Sequence, residues 1–249
     1  MVNNLYTLTL LKSFDILDCF ENDYQELAIK EIANRIGMPQ SSVHRIVQSL
    51  EFVGMLFQNR ESKKYRLGAK SISLSQRQSR LNEYFHTIVK YMEALGRETA
   101  ETVNLASLSC DKIVYIHRVD CKHVLRPNFE VNMLYPAYKT GLGTVLMAEL
   151  NDASLEWIYQ NNESDIQKPF SAFLEDIHKA QRDGFAFDDQ MFSPGLRCVA
   201  APIKGPGGKT LFSISVSAPT LRMDGNIQEI QRLVVQYAAA ASVDIQEIG

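Results

Sequence analysis

The feature that most constrains this chain is a pair of short amphipathic patterns lying between Ala28 and Gly68. Ile29, Ile32, Ala33 and Ile36 recur at i, i+3, i+4 and i+7, and Val43, Ile46, Val47 and Leu50 repeat that spacing. Such a period places each set on one face of an α-helix. Gly37 is positioned to end the first helix in a left-handed conformation, and Pro39 suits the first turn of the second. Two short helices joined by a tight glycine turn make a helix-turn-helix. Met55 to Gln58 and Lys64 to Leu67 then read as two short strands around a polar turn, which adds a wing. A winged helix-turn-helix is expected over residues 1–68. Its first helix would run from Leu8 to Asn22, with Leu10, Phe14 and Leu17 on one stripe and Ile16 and Phe20 widening it.

The second helix of the pair presents Gln40, Ser41, Ser42, His44, Arg45 and Gln48 on its outer face. Arginine can read guanine, glutamine can read adenine, and serine hydroxyls reach phosphate. An ordinary solvated helix face looks similar, so charge has to separate the two readings. From Pro39 to Lys70 there are six basic residues against two acidic ones, a net of +4, whereas residues 1–38 hold three basic against six acidic, a net of −3. The positive charge sits on the helix and wing where a polyanion would be met. Double-stranded DNA is the expected partner. Gln40, Ser41, Ser42, His44 and Arg45 would face the major groove, and Arg60, Lys63, Lys64 and Tyr65 would touch phosphate or the minor groove.

Composition narrows the rest. The net charge of the whole chain is −3, so any nucleic-acid site is local. Cys19, Cys110, Cys121 and Cys198 are scattered with no CxxC pair, which argues against a disulfide framework and a structural zinc cluster. No apolar run reaches the ~20 residues of a membrane span and no signal-peptide pattern opens the chain. A cytoplasmic protein without metal or cofactor is expected.

Ala69 to Arg80 is polar and helix-compatible and reads as a linker helix. From Leu81 onward, a helix to about Glu98 precedes strand-like runs at Thr102–Leu108, Ile113–Val119 and His123–Leu125. Helical patterns follow at 140–150, 154–160 and 171–183. Strands at Arg197–Ile203 and Leu211–Ser217 flank the turn Gly205-Pro206-Gly207-Gly208, and a terminal helix runs from Asn226 to Ile248. Hairpin-paired strands flanked by helices make an α+β domain with an antiparallel sheet over residues 81–249.

Three features of this second domain bear on binding. Thr140-Gly141-Leu142-Gly143 opens a helix, either as a plain glycine-containing start or as a row of amides offered to an anion. Ser213, Ser215 and Ser217 alternate with Phe212, Ile214 and Val216, so the hydroxyls line one face of a strand, toward water or flooring a polar pocket. Asp188 and Cys198 flank a turn. A thiol there is either structural or, as an alternative, the nucleophile of a Cys198-dependent enzyme, although no histidine is placed to activate it.

Three segments make the chain recognisable. LAIKEIANRIGMPQSSVHRIVQSLEFVGML, PAYKTGLGTVLMA, and GFAFDDQMFSPGLRCVAAPI with SISVSAP resemble stretches of the IclR family of bacterial transcription factors. The resemblance implies a GAF-like α/β effector-binding domain that takes a small molecule, often an organic or aromatic acid. It also implies a homodimer or homotetramer on an operator near a catabolic operon. Carried over residue by residue, the effector contacts would be Gly141 and Leu142 (loop amides), Asp188, Cys198, Ser215 and Ser217 (polar contacts), and Val124, Tyr135 and Leu196 (walls). The chain departs from the family's pattern at Tyr135, Lys139 and Thr144. Tyr135 and Lys139 would add a hydroxyl and a charge suited to a keto or sugar acid. No catalytic residue is implied.

Overall fold

The computed structural model describes residues 7–20, 25–76 and 79–248. The chain divides into two compact units, residues 1–79 and 80–249.

The first unit is a three-helix cluster with a two-stranded wing. Helix α1 (Leu8–Leu17) stops at Asp18, short of the expected end; the proposed terminator Glu21-Asn22-Asp23 lies outside the described residues. Its buried contribution is Ile16, joined by Cys19 and Phe20 just beyond the helix, while Leu10 and Phe14 are exposed. Of the stripe expected to face inward, only Leu17 packs against the core, and Leu10 and Phe14 face out. Helix α2 (Ile29–Ile36) buries Ile32 and Ala33 and ends on Gly37 at φ +64°, the left-handed region that glycine enters without steric cost. Helix α3 (Gln40–Phe52) buries Val43, Ile46, Val47 and Leu50, the full i, i+3, i+4, i+7 set. Strands β1 (Leu56–Gln58) and β2 (Tyr65–Leu67) pair antiparallel with Gln58 opposite Tyr65. The Glu26 carboxylate accepts hydrogen bonds from Asn59 Nδ2 and Ser62 Oγ, both at 2.8 Å, and so ties the wing turn to the segment before α2. Helix α4 (Ala69–Gln76) follows the wing.

The second unit begins with helix α5 (Ser79–Thr99) and is built on a six-stranded antiparallel sheet. Its strands are β3 (Thr102–Ser109), β4 (Lys112–Val119), β5 (Leu134–Pro136), β6 (Ala186–Asp189), β7 (Leu196–Lys204) and β8 (Thr210–Pro219), in the spatial order β5-β4-β3-β8-β7-β6. Between β5 and β6 run α6 (Gly141–Met147), α7 (Asp152–Asn162) and α8 (Phe170–Asp183). The short α9 (Thr220–Met223) and the long α10 (Ile227–Ile248) close the chain. The run His123–Leu125, expected to be a strand, is irregular, and its partner position at the sheet edge is taken by β5, which pairs Ile113 with Tyr135.

Strand alternation gives the sheet two faces. On one, Val103, Leu105, Val199, Ala201, Ile214 and Val216 pack under the buried stripes of α5 and α10. On the other, Ala106, Tyr115 and Ala200 lie under α6, α7 and α8 with Phe173 and Ile177. The same period sends Ser213, Ser215 and Ser217 to this second face, where all three are buried.

The wing corrects one expectation. Tyr65, taken for a nucleic-acid contact, is 3% exposed, packs in the core of the first unit, and exchanges backbone hydrogen bonds with Leu27. In a two-residue period with only one face covered, the residue opposite Gln58 points inward. Replacing Tyr65 by Ala is expected to destabilise the first unit by about 3 kcal/mol in urea unfolding, as for buried aromatics generally. Tyr65→Phe is expected to leave the affinity for nonspecific duplex DNA and its salt slope unchanged; a loss of slope would restore the phosphate contact.

Candidate functional site

Two sites emerge, one on each unit. On the first, α3 presents Gln40, Ser41, His44 and Arg45 as exposed side chains, with Ser42 half-buried, because the apolar set claims the other face. Arg60 and Lys63 are exposed at the wing tip, where Lys63 takes the left-handed conformation at φ +58°. Lys64 lies half-buried, 3.5 Å from the Glu31 carboxylate. Arg66 stacks 4.8 Å over Phe57.

On the second unit, strand register assembles a buried polar floor. Asp188 lies opposite Cys198, Cys198 opposite Ser217, and Ser215 between Ala200 and Asn104. Paired residues share a face, so these side chains form one patch under α6. Asn104 Nδ2 donates to Ser217 Oγ at 3.1 Å. Asn104 Oδ1 and Thr102 Oγ1 are buried without a hydrogen-bond partner, whereas Ser215 and Ser217 hydrogen-bond to the Cys198 thiol. Leaving a buried polar group unpaired costs about 1–3 kcal/mol, so the patch carries an unmet demand for polar partners.

The start of α6 does not stand open to an anion. Thr140 Oγ1 accepts from Gly143 N–H at 3.0 Å, and the Asp188 carboxylate accepts from the Gly141 amide, as it does from Met191 N–H at 2.8 Å and from Phe192 N–H. The protein's own carboxylate fills that position. Gly143 is needed for packing: a Cβ there would sit 2.1 Å from the Ala137 carbonyl oxygen.

Burial pushes the Asp188 carboxyl up to about 6, against the pull of its three amide donors. Burial, reinforced by Asp188, pushes the Cys198 thiol up to about 12. A catalytic cysteine needs the opposite, a thiol lowered toward thiolate by a base or cation. The enzyme alternative loses its nucleophile.

Four aromatic rings cover the floor. Tyr115 is buried within electrostatic reach of Asp188 and Cys198, and Phe129 stacks on it at 4.8 Å between centroids and 10° between planes. Tyr135 meets both edge-on, and Phe192 meets Phe129 and Tyr135 edge-on, with the Tyr135 and Phe192 centroids 5.6 Å apart. Leu142 and Leu196 pack in the same apolar cluster. Two expected neighbours are not brought in. Val124 is 99% exposed on an irregular segment, whereas Phe129 of the same segment is buried. Lys139 pairs with Asp165 at 2.5 Å on the outside, beside the Tyr138 hydroxyl that donates to the same carboxylate, so it lends the floor no charge. The Tyr135 hydroxyl accepts from Glu130 N–H at 3.2 Å.

With this geometry in place, comparison with known proteins is decisive. Residues 72–244 match the family described as bacterial transcriptional regulator IclR C-terminal, and residues 9–60 match the IclR helix-turn-helix domain. The chain belongs to the IclR family of bacterial transcriptional regulators. Among its relatives, the HTH-type transcriptional regulator KdgR of Escherichia coli is 30% identical over 246 residues, 97% of this chain and 92% of that one. The transcriptional repressor IclR of the same organism is 24% identical, covering 92% of this chain and 87% of its own. In fold, the chain is similar to an IclR homolog from Microbacterium hydrocarbonoxydans solved with 4-hydroxybenzoate, at a TM-score of 0.74, 19% identity, and 96% and 99% coverage of the two chains. It is likewise similar to the IclR protein of Thermotoga maritima, at a TM-score of 0.66, 22% identity, and 96% and 98% coverage.

This IclR-family chain is thus a DNA-binding transcriptional regulator with an effector-binding C-terminal domain, not an enzyme. Sequence reasoning missed several residues around the buried floor: Thr102, Asn104, Tyr115, Phe129 and Phe192. One signal was available, since Asn104 interrupts the apolar run of β3 in the phase of the pocket face. The aromatic cover, drawn from β4, β5 and two loops, had none.

Asp188 makes a pH prediction. Its folded-state pKa is raised above the ordinary 3.8, so its stabilising contribution is fully present below pH 3.8 and is lost as pH rises through about 6. Asp188→Asn keeps an acceptor oxygen without the charge. At pH 8 the variant is expected to be more stable than the parent by about 1–3 kcal/mol in urea unfolding, with the gap closing near pH 4. An equal stability difference at both pH values would show that Asp188 is not buried as a strained anion.

Proposed function

We propose that this protein is an effector-responsive regulator whose operator binding changes when a small organic acid occupies the floor formed by Asp188, Cys198, Ser215 and Ser217. Tyr135, Leu142 and Leu196 serve as walls beside Gly141. The observation that carries this reading is the buried, unpaired Asn104 Oδ1 and Thr102 Oγ1 beside the Ser215, Ser217 and Cys198 cluster, set against an aromatic cover. Convergent polar groups inside apolar walls are what orient a small ligand. The 4-hydroxybenzoate held by the Microbacterium homolog is an acid of this size and chemistry.

On the DNA side, Gln40, Ser41, Ser42, His44 and Arg45 meet the major groove while Arg60, Lys63 and Lys64 meet the phosphate backbone. Residues 69–80 link the DNA-binding domain to an effector domain over residues 81–249. The working unit is a homodimer or homotetramer in the cytoplasm, acting on genes that break down the acid it senses. The effector biases two arrangements of the paired recognition helices, a coupling typically worth about 1–3 kcal/mol.

Two measurements test this. In a thermal-shift screen against small organic, keto and sugar acids, a hit stabilises the folded parent by about 2.7 kcal/mol at a hundredfold excess over Kd. Cys198→Ser and Ser215→Ala are expected to weaken that shift, and an unchanged shift in both would move the site elsewhere. In DNA titrations, Lys63→Ala is expected to weaken all sequences alike and lower the salt slope by about one, whereas Arg45→Ala costs about 1–3 kcal/mol on the operator only. Equal losses on operator and random DNA in Arg45→Ala would remove it from base readout.

A further inference from the structure

The cover over the polar floor contains one ring that is out of keeping with its carrier. Tyr115 and Tyr135 stand on strands β4 and β5, fixed by ladder pairing. Phe129 belongs instead to the irregular segment between β4 and β5, yet it is the ring laid flat on Tyr115 and it is buried. A loop ring is thus held flat on the strand ring that lies within electrostatic reach of Asp188 and Cys198.

What holds it there is an arginine on the same face. Arg118 lies opposite Asn104 in the β3–β4 ladder, so its side chain leaves the sheet on the side of the floor. Its Nη1 donates to the Phe129 carbonyl and, at 3.0 Å, to Asn128 Oδ1, while Nε and Nη2 hold the Asp120 carboxylate at 2.8 and 3.3 Å. One salt-bridge partner and two neutral loop oxygens share it. Nη1 meets only neutral oxygens, and a bound carboxylate is a stronger acceptor for it than a carbonyl and an amide oxygen.

We propose that Phe129 is a built-in occupant of the effector site: its ring holds, against Tyr115, the place of the flat part of the effector, and the Arg118 guanidinium that grips its carbonyl is freed on exchange to hold the effector's carboxylate. The inference rests on the effector-site reading above. It narrows the ligand to a carboxylate attached to a planar body, and it makes Phe129 a determinant of affinity, because every binding event must first displace it. The floor then meets the far end of the ligand, where Asn104 Oδ1 and Ser215 Oγ take a hydroxyl or similar group.

The test uses the full chain, with benzoate and the uncharged benzamide as probes in calorimetric titration. Phe129→Ala removes the occupant and is expected to bind benzoate about tenfold tighter than the parent. Phe129→Leu, which keeps the core filled should the alanine variant fail to fold, is expected to fall between them. Arg118→Gln in the Phe129→Leu background is expected to reduce a preference for benzoate over benzamide of about tenfold to about one. Cys198→Phe, which fills the floor, is expected to abolish binding. If Cys198→Phe abolishes binding but neither Phe129 variant tightens it, the occupant idea is wrong and the effector site stands. If binding survives Cys198→Phe unchanged, both fall. Absence of benzoate binding in every variant at millimolar concentration overturns the proposal as well.

Discussion

The structure of the second unit depends on one constraint, the two-residue period of strand β8 and its partners. Phe212, Ile214 and Val216 must face α5 and α10, and that requirement alone forces Ser213, Ser215 and Ser217 into the opposite layer. A row of buried hydroxyls is costly unless it is partnered. The neighbouring strands answer with Asn104, Cys198 and Asp188 at paired positions, and still leave polar atoms unsatisfied. In a structural core such a layer would be replaced by apolar side chains at a gain in stability. Its retention is what supports the proposed binding floor.

Electrostatics in this floor follow from its dryness. Asp188 accepts three backbone amides, an arrangement that ordinarily depresses a carboxyl pKa, yet burial outweighs them and leaves the group poised near neutrality. The same burial makes Cys198 inert as a nucleophile while leaving it a compact polar contact. On the first unit the arrangement is reversed: Arg45, Arg60 and Lys63 stand exposed to solvent.

The elements differ in how far local pattern fixes them. The two helices of the helix-turn-helix, the β3–β4 and β7–β8 hairpins and the long terminal helix carry complete periodic signals, and each stands within a residue or two of its expected place. Strands β5 and β6 have three and four residues, too few for a period to be read, and exist because an edge of the sheet was open to them. The segment His123–Leu125 shows the converse, a strand-like composition with no edge left to pair with. In α1 the apolar residues are spread around the helix, so composition could not say that Ile16 would be buried and Phe14 exposed.

By itself the sequence determined the winged helix, the hairpin sheet, the location of the positive charge and the alternation that creates the hydroxyl row, since each is set by contacts between near neighbours. Only the tertiary structure decided which of those features face each other. It buried Tyr65 rather than offering it to DNA, turned Lys139 outward to Asp165, left Val124 in solvent, and set Phe129 on Tyr115 under the hold of Arg118. These outcomes depend on strand order and loop return, which bring together residues far apart in the chain, and no local period encodes them.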